Sequence, residues 1–342
     1  SFLCFIVLSD MRNCWIFYSL MLFLITAICS CTSNTQSANY FCYNESTGIS
    51  TLDPAFAKNQ ALMWPVHQLF NTLIEADDSL HLIPSLATNW EMLDNGLTIR
   101  FRLRNDVYFH DDVCFPDGKG RKIIAADIAY SLFRIIDAKT ASPGAWIFNQ
   151  VVDSLHPFVA VNDSIFDIHL QQPNASILGI LSMPYCSVVP KEAVTFYGNQ
   201  FGHHPVGTGP FKFSVWYDNE ALLLKKNNHY FERDEHGNSL PYLEGIKISF
   251  IESKASEFME FRQEHLDFVN DIDPAIKDQV LTHSGKLKKE WEHVLNLQVT
   301  PYLNVEYLGI KTENDSSKPL HDKRFRRAIE YAIDKKKLLY YL

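Results

Sequence analysis

Pro205-Val206-Gly207-Thr208-Gly209-Pro210-Phe211, leading through a strand-like stretch to Asn228-His229-Tyr230-Phe231, is the passage on which the fold turns. Gly207 and Gly209 open backbone angles that other residues reach only at a cost, and Pro210 sets the exit from the turn. Phe211, Phe213 and Val215 then alternate with Lys212, Ser214 and Trp216, the period of a half-buried strand. A G-x-G can cradle phosphate, but no Lys-Ser or Lys-Thr follows it here and no helix opens. The turn is read as structural.

Outward from it, Tyr217-Asp218-Asn219-Glu220 reads as a hairpin turn that returns the chain as Leu222 to Lys225. Leu97, Ile99, Phe101 and Leu103 alternate with Thr98, Arg100, Arg102 and Arg104, a strand with one wet face. Phe166, Ile168 and Leu170 mark another strand, and Ile246, Ile248 and Phe250 a further one. Helical spacing appears over Ala61 to Leu73, around Ile128, Leu132, Ile135 and Ile136, and over Phe258 to His265. Asp127 is expected near the positive end of the second of these helices. Pro54 ends any strand at Asp53. Strands and helices are mixed along the chain, so the class is α/β or mixed α+β with more than one subdomain. Phe325 to Leu342 reads as one helix with Phe325, Ala328, Ile329, Ala332, Ile333 and Leu339 on a single face. It closes on Leu338-Leu339-Tyr340-Tyr341-Leu342 without a polar or glycine exit, so the sequence reads as cut.

The 342 residues are enough for two or more packed units, and 46% apolar with 21% charged residues is ordinary for a globular protein. A net charge of −9 argues against nucleic acid as a partner. The one basic cluster, Lys323-Arg324-Arg326-Arg327 with Lys335 to Lys337, reads as the solvated side of an amphipathic helix. His110-Asp111-Asp112, opening a polar loop, and His203-His204 contain metal-ligating types, but adjacent residues rarely converge on one ion without a third ligand at fixed spacing. Asp77-Asp78 reads as a solvated pair. With no nucleophile elbow and no helical H-E-x-x-H, neither a catalytic residue, a metal site nor a cofactor is assigned.

Met11-Arg12 is followed by an uncharged, largely apolar run from Trp15 to Ile28, too short to span a bilayer comfortably. It ends in Ile28-Cys29-Ser30-Cys31, which resembles the lipobox of bacterial lipoproteins. The resemblance implies cleavage before Cys31 and a thioether-linked diacylglycerol on its sulfur, with Thr32 to Asn39 as a polar tether. Residues 1–10 would then lie upstream of the natural start. The competing reading is an uncleaved anchor over Phe2 to Ile28, interrupted by Asp10 and Arg12. Cys42, Cys114 and Cys186 remain, an odd and widely spaced trio read as buried or free thiols.

Taken in order, Thr51 to Ala55, Pro84 to Ala87 with Trp90, Phe101 to Arg104, Phe109-His110-Asp111, Asp127 to Arg134, Pro205 to Phe211, Asn228 to Phe231 and Asp322 to Lys335 resemble the peptide- and nickel-type solute-binding proteins, family 5, of bacterial ABC importers. The likeness runs from about Phe41 to the final residue. Two departures stand out: Asp112 to Lys122 makes a longer loop than the family's, and Glu264-His265 replaces the common Gly-Glu before Leu266-Asp267. The resemblance implies a periplasmic-binding-protein-like, two-lobed clamp with an extra subdomain. Carried over, 1–30 is a signal peptide, 31–40 the lipidated tether, 41–60 and 183–300 the first lobe, and 61–182 the extra subdomain. Residues 301–342 begin the second lobe near a hinge at Pro301-Tyr302, with most of that lobe missing.

What the resemblance implies for function is capture of oligopeptides or a related small polar solute for an ABC permease. No bond is changed, and the setting is the cell envelope, facing periplasm or exterior. The partners expected are the solute, permease subunits and, through Cys31, a membrane; a monomer is expected. The alternatives are a peptide-sensing or surface lipoprotein outside transport and a periplasmic hydrolase. Ile49 and Ser50 are expected to face the cleft. Trp146 and Phe148, following Ser142-Pro143-Gly144-Ala145, are candidate walls. Asn270 and Asp271 at a lobe-edge loop, with Asn304, Glu306 and Tyr307 on a hinge-proximal strand, complete the candidates. The aspartate that in relatives holds a peptide's α-amino group lies in the second lobe and has no counterpart to assign.

Overall fold

The alternating stretch after Phe211 does form a strand, and the turn before it lies at the centre of the fold. The computed structural model describes residues 39–299, 307–311 and 318–341. These divide into two compact units, one reaching Glu252 and including Glu264–Phe268, the other comprising Ser253–Gln263 and the remainder from Val269.

In chain order the first unit contains β1 (Tyr40–Asn44), α1 (Gln60–Leu69), β2 (Ile74–Ala76), β3 (Leu82–Pro84), β4 (Ala87–Leu93) and β5 (Thr98–Leu103). There follow α2 (Ala125–Ile136), β6 (Phe158–Asn162), β7 (Ile165–His169), α3 (Ile177–Leu181), α4 (Lys191–Tyr197), β8 (Phe211–Tyr217), β9 (Ala221–Lys226) and β10 (Gly245–Ser249). One sheet runs β1-β10-β9-β8, with β1 parallel to β10 and the other pairings antiparallel. A second, antiparallel sheet runs β4-β5-β7-β6, and β2 with β3 makes a separate hairpin.

The sequence pattern explains these elements. Leu222 and Leu224 of β9 are fully buried while Lys225 is exposed. The β8–β9 turn closes with the Glu220 amide on the Tyr217 carbonyl, and Asn219 takes the left-handed conformation that asparagine tolerates. In β5, Ile99 and Phe101 enter the core. On the opposite face Arg100 stands directly across from Asp167 of β7 and grips it through two bonds of 2.9 and 2.7 Å. Helix α2 buries Ile128, Leu132 and Ile135, and Asp127 accepts the Ile124 amide at its N-terminus. One continuous apolar core holds residues from Tyr43 to Ile248, so the stretch 61–182 packs into the same core as its flanks.

Three expectations are corrected by geometry. The alternation of β8 does not persist: a bulge between Phe213 and Val215 shifts the register, and Trp216 pairs with Leu222. Directly paired residues share a face, so Trp216 packs on the core side with Phe213 and its partner Leu224. Gly207 and Gly209 are also not glycines for their backbone angles, since neither lies in the left-handed region. They are glycines because a Cβ at Gly207 would stand 2.0 Å from the Leu69 carbonyl oxygen, and one at Gly209 2.5 Å from the Leu69 carbonyl carbon. His110, read as opening a polar loop, is 5% exposed and belongs to the interior.

In the second unit, α5 (Lys254–Arg262) carries Phe258, whose ring meets the edge of Trp291 at 6.4 Å, with the Arg262 guanidinium over the same indole. Asp273 caps α6 (Pro274–Val280). After α7 (Lys318–His321), the expected single C-terminal helix is two: α8 (Lys323–Ala332), capped by Asp322, and α9 (Lys335–Tyr341). The break has a local cause. Asp334 accepts the amides of Lys336 and Lys337, the signature of a helix start, while Ile333 adopts an extended conformation.

Gly207→Ala is expected to destabilise the first unit by roughly 2–4 kcal/mol, because the clash is with main chain and nothing flexible can yield. Urea unfolding of the variant beside the parent checks this; equal midpoints would mean that Leu69 moves aside freely.

Candidate functional site

The turn nominated by sequence is held by a buried polar knot. The His110 amide donates to the Gly207 carbonyl at 2.7 Å, and the Gly207 amide donates back to His110 Nδ1 at 3.3 Å. A ring nitrogen that accepts carries no proton, so the other must donate. Nε2 accordingly lies 3.0 Å from the Gly209 carbonyl oxygen, which also accepts from Asn227 Nδ2 at 3.0 Å. Thr208 donates to Asn71 Oδ1, and Asn71 Nδ2 donates to both Glu75 and the Tyr230 hydroxyl. Burial pushes the His110 pKa down from 6.5 to about 4: a charged ring would lose its water, and the Gly209 carbonyl with the nearby Asp111 and Asp112 offsets only part of that loss. The imidazole is a neutral spacer between two strands of main chain. It is no metal ligand, and both its nitrogens are used.

The segment before α1 is fixed from several sides. The Leu52 amide donates to the Gly202 carbonyl at 2.8 Å, and a Cβ at Gly202 would stand 2.1 Å from Thr51 Oγ1. Asp53 caps the short helical turn Pro54–Phe56 by accepting the Ala55 amide. The same carboxylate takes both arms of Arg134 from α2, at 3.1 and 2.6 Å, and both partners are nearly buried. Arg134 lies over the Phe201 ring. Ser142 donates to the Ala55 carbonyl at 2.5 Å and accepts the Gly144 amide at 3.0 Å.

Against this frame the nominated residues separate. Ile49 is 8% exposed and mainly core, whereas Ser50 beside it is exposed. Trp146 is 67% exposed. Phe148 is corrected: at 2% exposed, with its ring against Phe158 at 5.2 Å, it is spent on packing and offers no wall. Asn270 and Asp271 are exposed in the second unit, where the Asn270 carbonyl accepts from Lys254 Nζ and Asp271 has a φ of 70°. Tyr307 is 84% exposed. Cys31, Pro301-Tyr302, Asn304 and Glu306 lie outside the described residues. His203 and His204 stack on Trp216 and Tyr197 respectively, each on a different ring. Among the described residues no group of three or more metal-ligating side chains converges.

A pocket of about 570 Å³ opens elsewhere on the first unit, bounded by Cys114, Arg121, Tyr130, Lys191 and Phe196 among others. Its charge is largely satisfied internally. Arg121 holds Asp127 through two bonds and Glu192 through two more, at 2.6–2.8 Å. The Cys114 thiol is pushed up to about 12, by burial first and by Asp112 second, which makes it a poor nucleophile. None of the nominated residues lines this pocket.

The ties around these segments that sequence reading missed are long-range: Asp53 with Arg134, Ala55 with Ser142, Asn71 with Thr208. Asp53-Pro54 and Ser142-Pro143-Gly144 each carry the turn chemistry that marks a fixed backbone. Nothing in either says that the two meet.

The fold is that of the periplasmic binding proteins. A periplasmic binding protein of Helicobacter pylori, DppA, solved in complex with the peptide STSA, superposes with a TM-score of 0.61 at 24% identity over 70% of this chain and 48% of its own. The periplasmic oligopeptide-binding protein OppA of Salmonella typhimurium is 26% identical over 307 residues, 85% of this chain and 52% of that protein. The peptide transport periplasmic protein SapA of the same organism is 24% identical over 313 residues, 87% of this chain and 53% of its own. The family model for bacterial extracellular solute-binding proteins, family 5 Middle, matches residues 81–342, and the chain belongs to that family. It spans about half the length of the curated relatives it matches.

The knot gives a pH-dependent outcome. Above about pH 6.5 His110 is neutral in both folded and unfolded chains, and its full contribution is present. As pH falls toward about 4 the unfolded chain takes up a proton that the folded one refuses, and about 3 kcal/mol of stability is lost across that window. In His110→Gln this component disappears. The stability difference between parent and variant, from urea titrations, should therefore narrow by that amount between about pH 7 and pH 4. A constant difference would show that the imidazole is not buried neutral.

Proposed function

We propose that the protein is the substrate-binding component of an ABC importer, capturing oligopeptides or a related small polar solute at the cell envelope. Membership of the solute-binding family over residues 81–342 is the observation that carries this reading, and the names of relatives such as OppA and SapA support peptide as the cargo class. Binding proceeds without covalent change to the ligand. Main-chain groups around Ser50 and the exposed Trp146 ring form one wall of the site, a few convergent polar groups beside an apolar surface. Ile49, Asn270, Asp271, Asn304, Glu306 and Tyr307 are the further contacts the reading assigns. Ligand favours a closed state by contacting two lobes at once, and the permease responds to that state. The working form is a monomer, tethered to the membrane by diacylglycerol on Cys31.

Two measurements test this. The protein purified as its own cells produce it is expected to retain peptides from an equimolar synthetic pool of tri- to hexapeptides, identified unaltered by mass spectrometry. A pool recovered cleaved would support the hydrolase reading, and a pool not retained at all would remove peptide as the cargo. For the anchor, Cys31→Ser should move the protein from the membrane to the soluble fraction; unchanged fractionation would remove the lipid from the account.

A further inference from the structure

The pocket of about 570 Å³ on the first unit has walls that are already fixed. Tyr197 of α4 donates to Asp112, at 2.9 and 3.0 Å from its two carboxylate oxygens, and so ties α4 to the loop that carries Cys114. Arg121 grips Asp127 of α2 and Glu192 of α4 at once. The Ser131 hydroxyl accepts the Val189 amide at 2.9 Å, joining α2 to the stretch before α4. The Phe196 ring, exposed at the rim, stands edge to face with Tyr197 at 4.9 Å. A cavity framed in this way needs no ordering when a guest enters.

What the lining leaves unused defines the guest. Its four charges, Arg121 and Lys191 against Asp127 and Glu192, cancel. Both oxygens of each carboxylate already accept from Arg121. Among the described residues the side chains of Tyr130, Lys191 and Thr195 make no hydrogen bond, and all three can donate one. Burial raises the Tyr130 phenol, so it keeps its proton. Ile124, Ala126, Phe196 and the Tyr130 ring supply the apolar surface.

We propose that this pocket is an accessory binding site for a small neutral molecule with an apolar body and a carbonyl acceptor, such as a ketone, amide or ester. The apolar body lies against the aromatic and aliphatic wall, and the carbonyl takes a hydrogen bond from the donors left over. An ion would give up its water to enter and find each opposite charge already paired, so net charge is selected against. None of the described contacts assigned to the peptide lines the pocket, and the site stands apart from that reading.

The test titrates the purified full chain with fluorinated probes of one size, read by fluorine NMR. They are para-fluoroacetophenone, neutral with a carbonyl, para-fluorobenzoate, an anion, and para-fluorobenzylammonium, a cation. The ketone is expected to bind with a dissociation constant of about 1 mM, ordinary for so small a ligand, and each ion about fivefold more weakly. Ala126→Trp, which fills the pocket from the exposed first turn of α2, should weaken the ketone about tenfold. Lys191→Met keeps the apolar stem, removes a donor and should cost about threefold in affinity. Leu155→Ala is the control: it removes a side chain that is exposed but outside the pocket, and should leave the affinity unchanged. Melting curves check that each variant folds. Should Ala126→Trp not fold, Phe196→Ala, which removes an exposed wall, serves in its place with a loss of about fivefold. No binding by the parent at about 10 mM probe, equal binding of the ketone and either ion, or unchanged affinity in the pocket-filling variant would each overturn the proposal. Equal weakening by Leu155→Ala would overturn it too, as adsorption on any exposed apolar surface. Peptide retention is measured separately, so failure of the importer reading leaves this result standing, and the reverse holds as well.

Discussion

The first unit depends on a neutral imidazole with no water to serve it. His110 stands where the Gly207 and Gly209 main chain passes close to the end of α1, and its amide and both ring nitrogens are matched to groups on that turn. The chain around Gly207 could not be buried here without such a partner, because a loop crossing an interior carries amides and carbonyls that water cannot reach. Asn227 and Asn71 extend the same solution on either side, to the beginning of the Asn228–Phe231 stretch and to the residue just beyond α1. The close approach demanded glycine, and glycine exposed main chain that demanded polar partners. The motif is therefore a packing requirement together with its hydrogen-bonding consequence, which is why it contains no phosphate-binding chemistry.

Legibility in the sequence followed range. Strands whose two faces meet different environments were readable, as in β5, β7 and β9, where one residue in two enters the core. The hairpin turn at Asn219 was readable from turn chemistry. Readings that depended on one face extending unbroken failed at the places where a local polar group intervened. In β8 an extra residue turned Trp216 inward, and at Asp334 a side chain that prefers to cap a new helix ended the old one. Phe148 shows the same limit for the site. Its neighbourhood in sequence resembles a ligand-approaching loop, but only the positions of Phe158 and Phe133 reveal a packed aromatic group there. An aromatic residue two positions from an exposed one carries no mark of which of them faces out.

Arginine supplies the ties that no local pattern announces. Arg100 crosses between neighbouring strands, Arg121 joins the loop before α2 to α2 and α4, and Arg134 joins α2 to the stretch before α1. Each is two-armed, so each fixes an orientation as well as a distance. Their energetic weight differs with burial. Arg134 with Asp53 is nearly dry on both sides, so removing one partner would strand a charge, whereas Arg102 with Glu91, half-exposed on both, contributes little. The expensive pair sits beneath the segment that the proposed function uses, and the cheap one on an outer strand.

That distribution bears on how a clamp of this family can be selective. A ligand held by a few main-chain groups and one aromatic face loses affinity quickly if those groups must first be ordered, because the ordering is charged against binding. Fixing Leu52, Asp53 and Ala55 through buried bonds moves that ordering into folding, where the whole core shares it. One wall of this kind can orient a solute but cannot enclose it, since ligand sites bury most of their guest. Exposure of Ser50 and Trp146 is therefore what an open wall of the proposed site requires: rigid where it is anchored, and wet where a second surface would complete it.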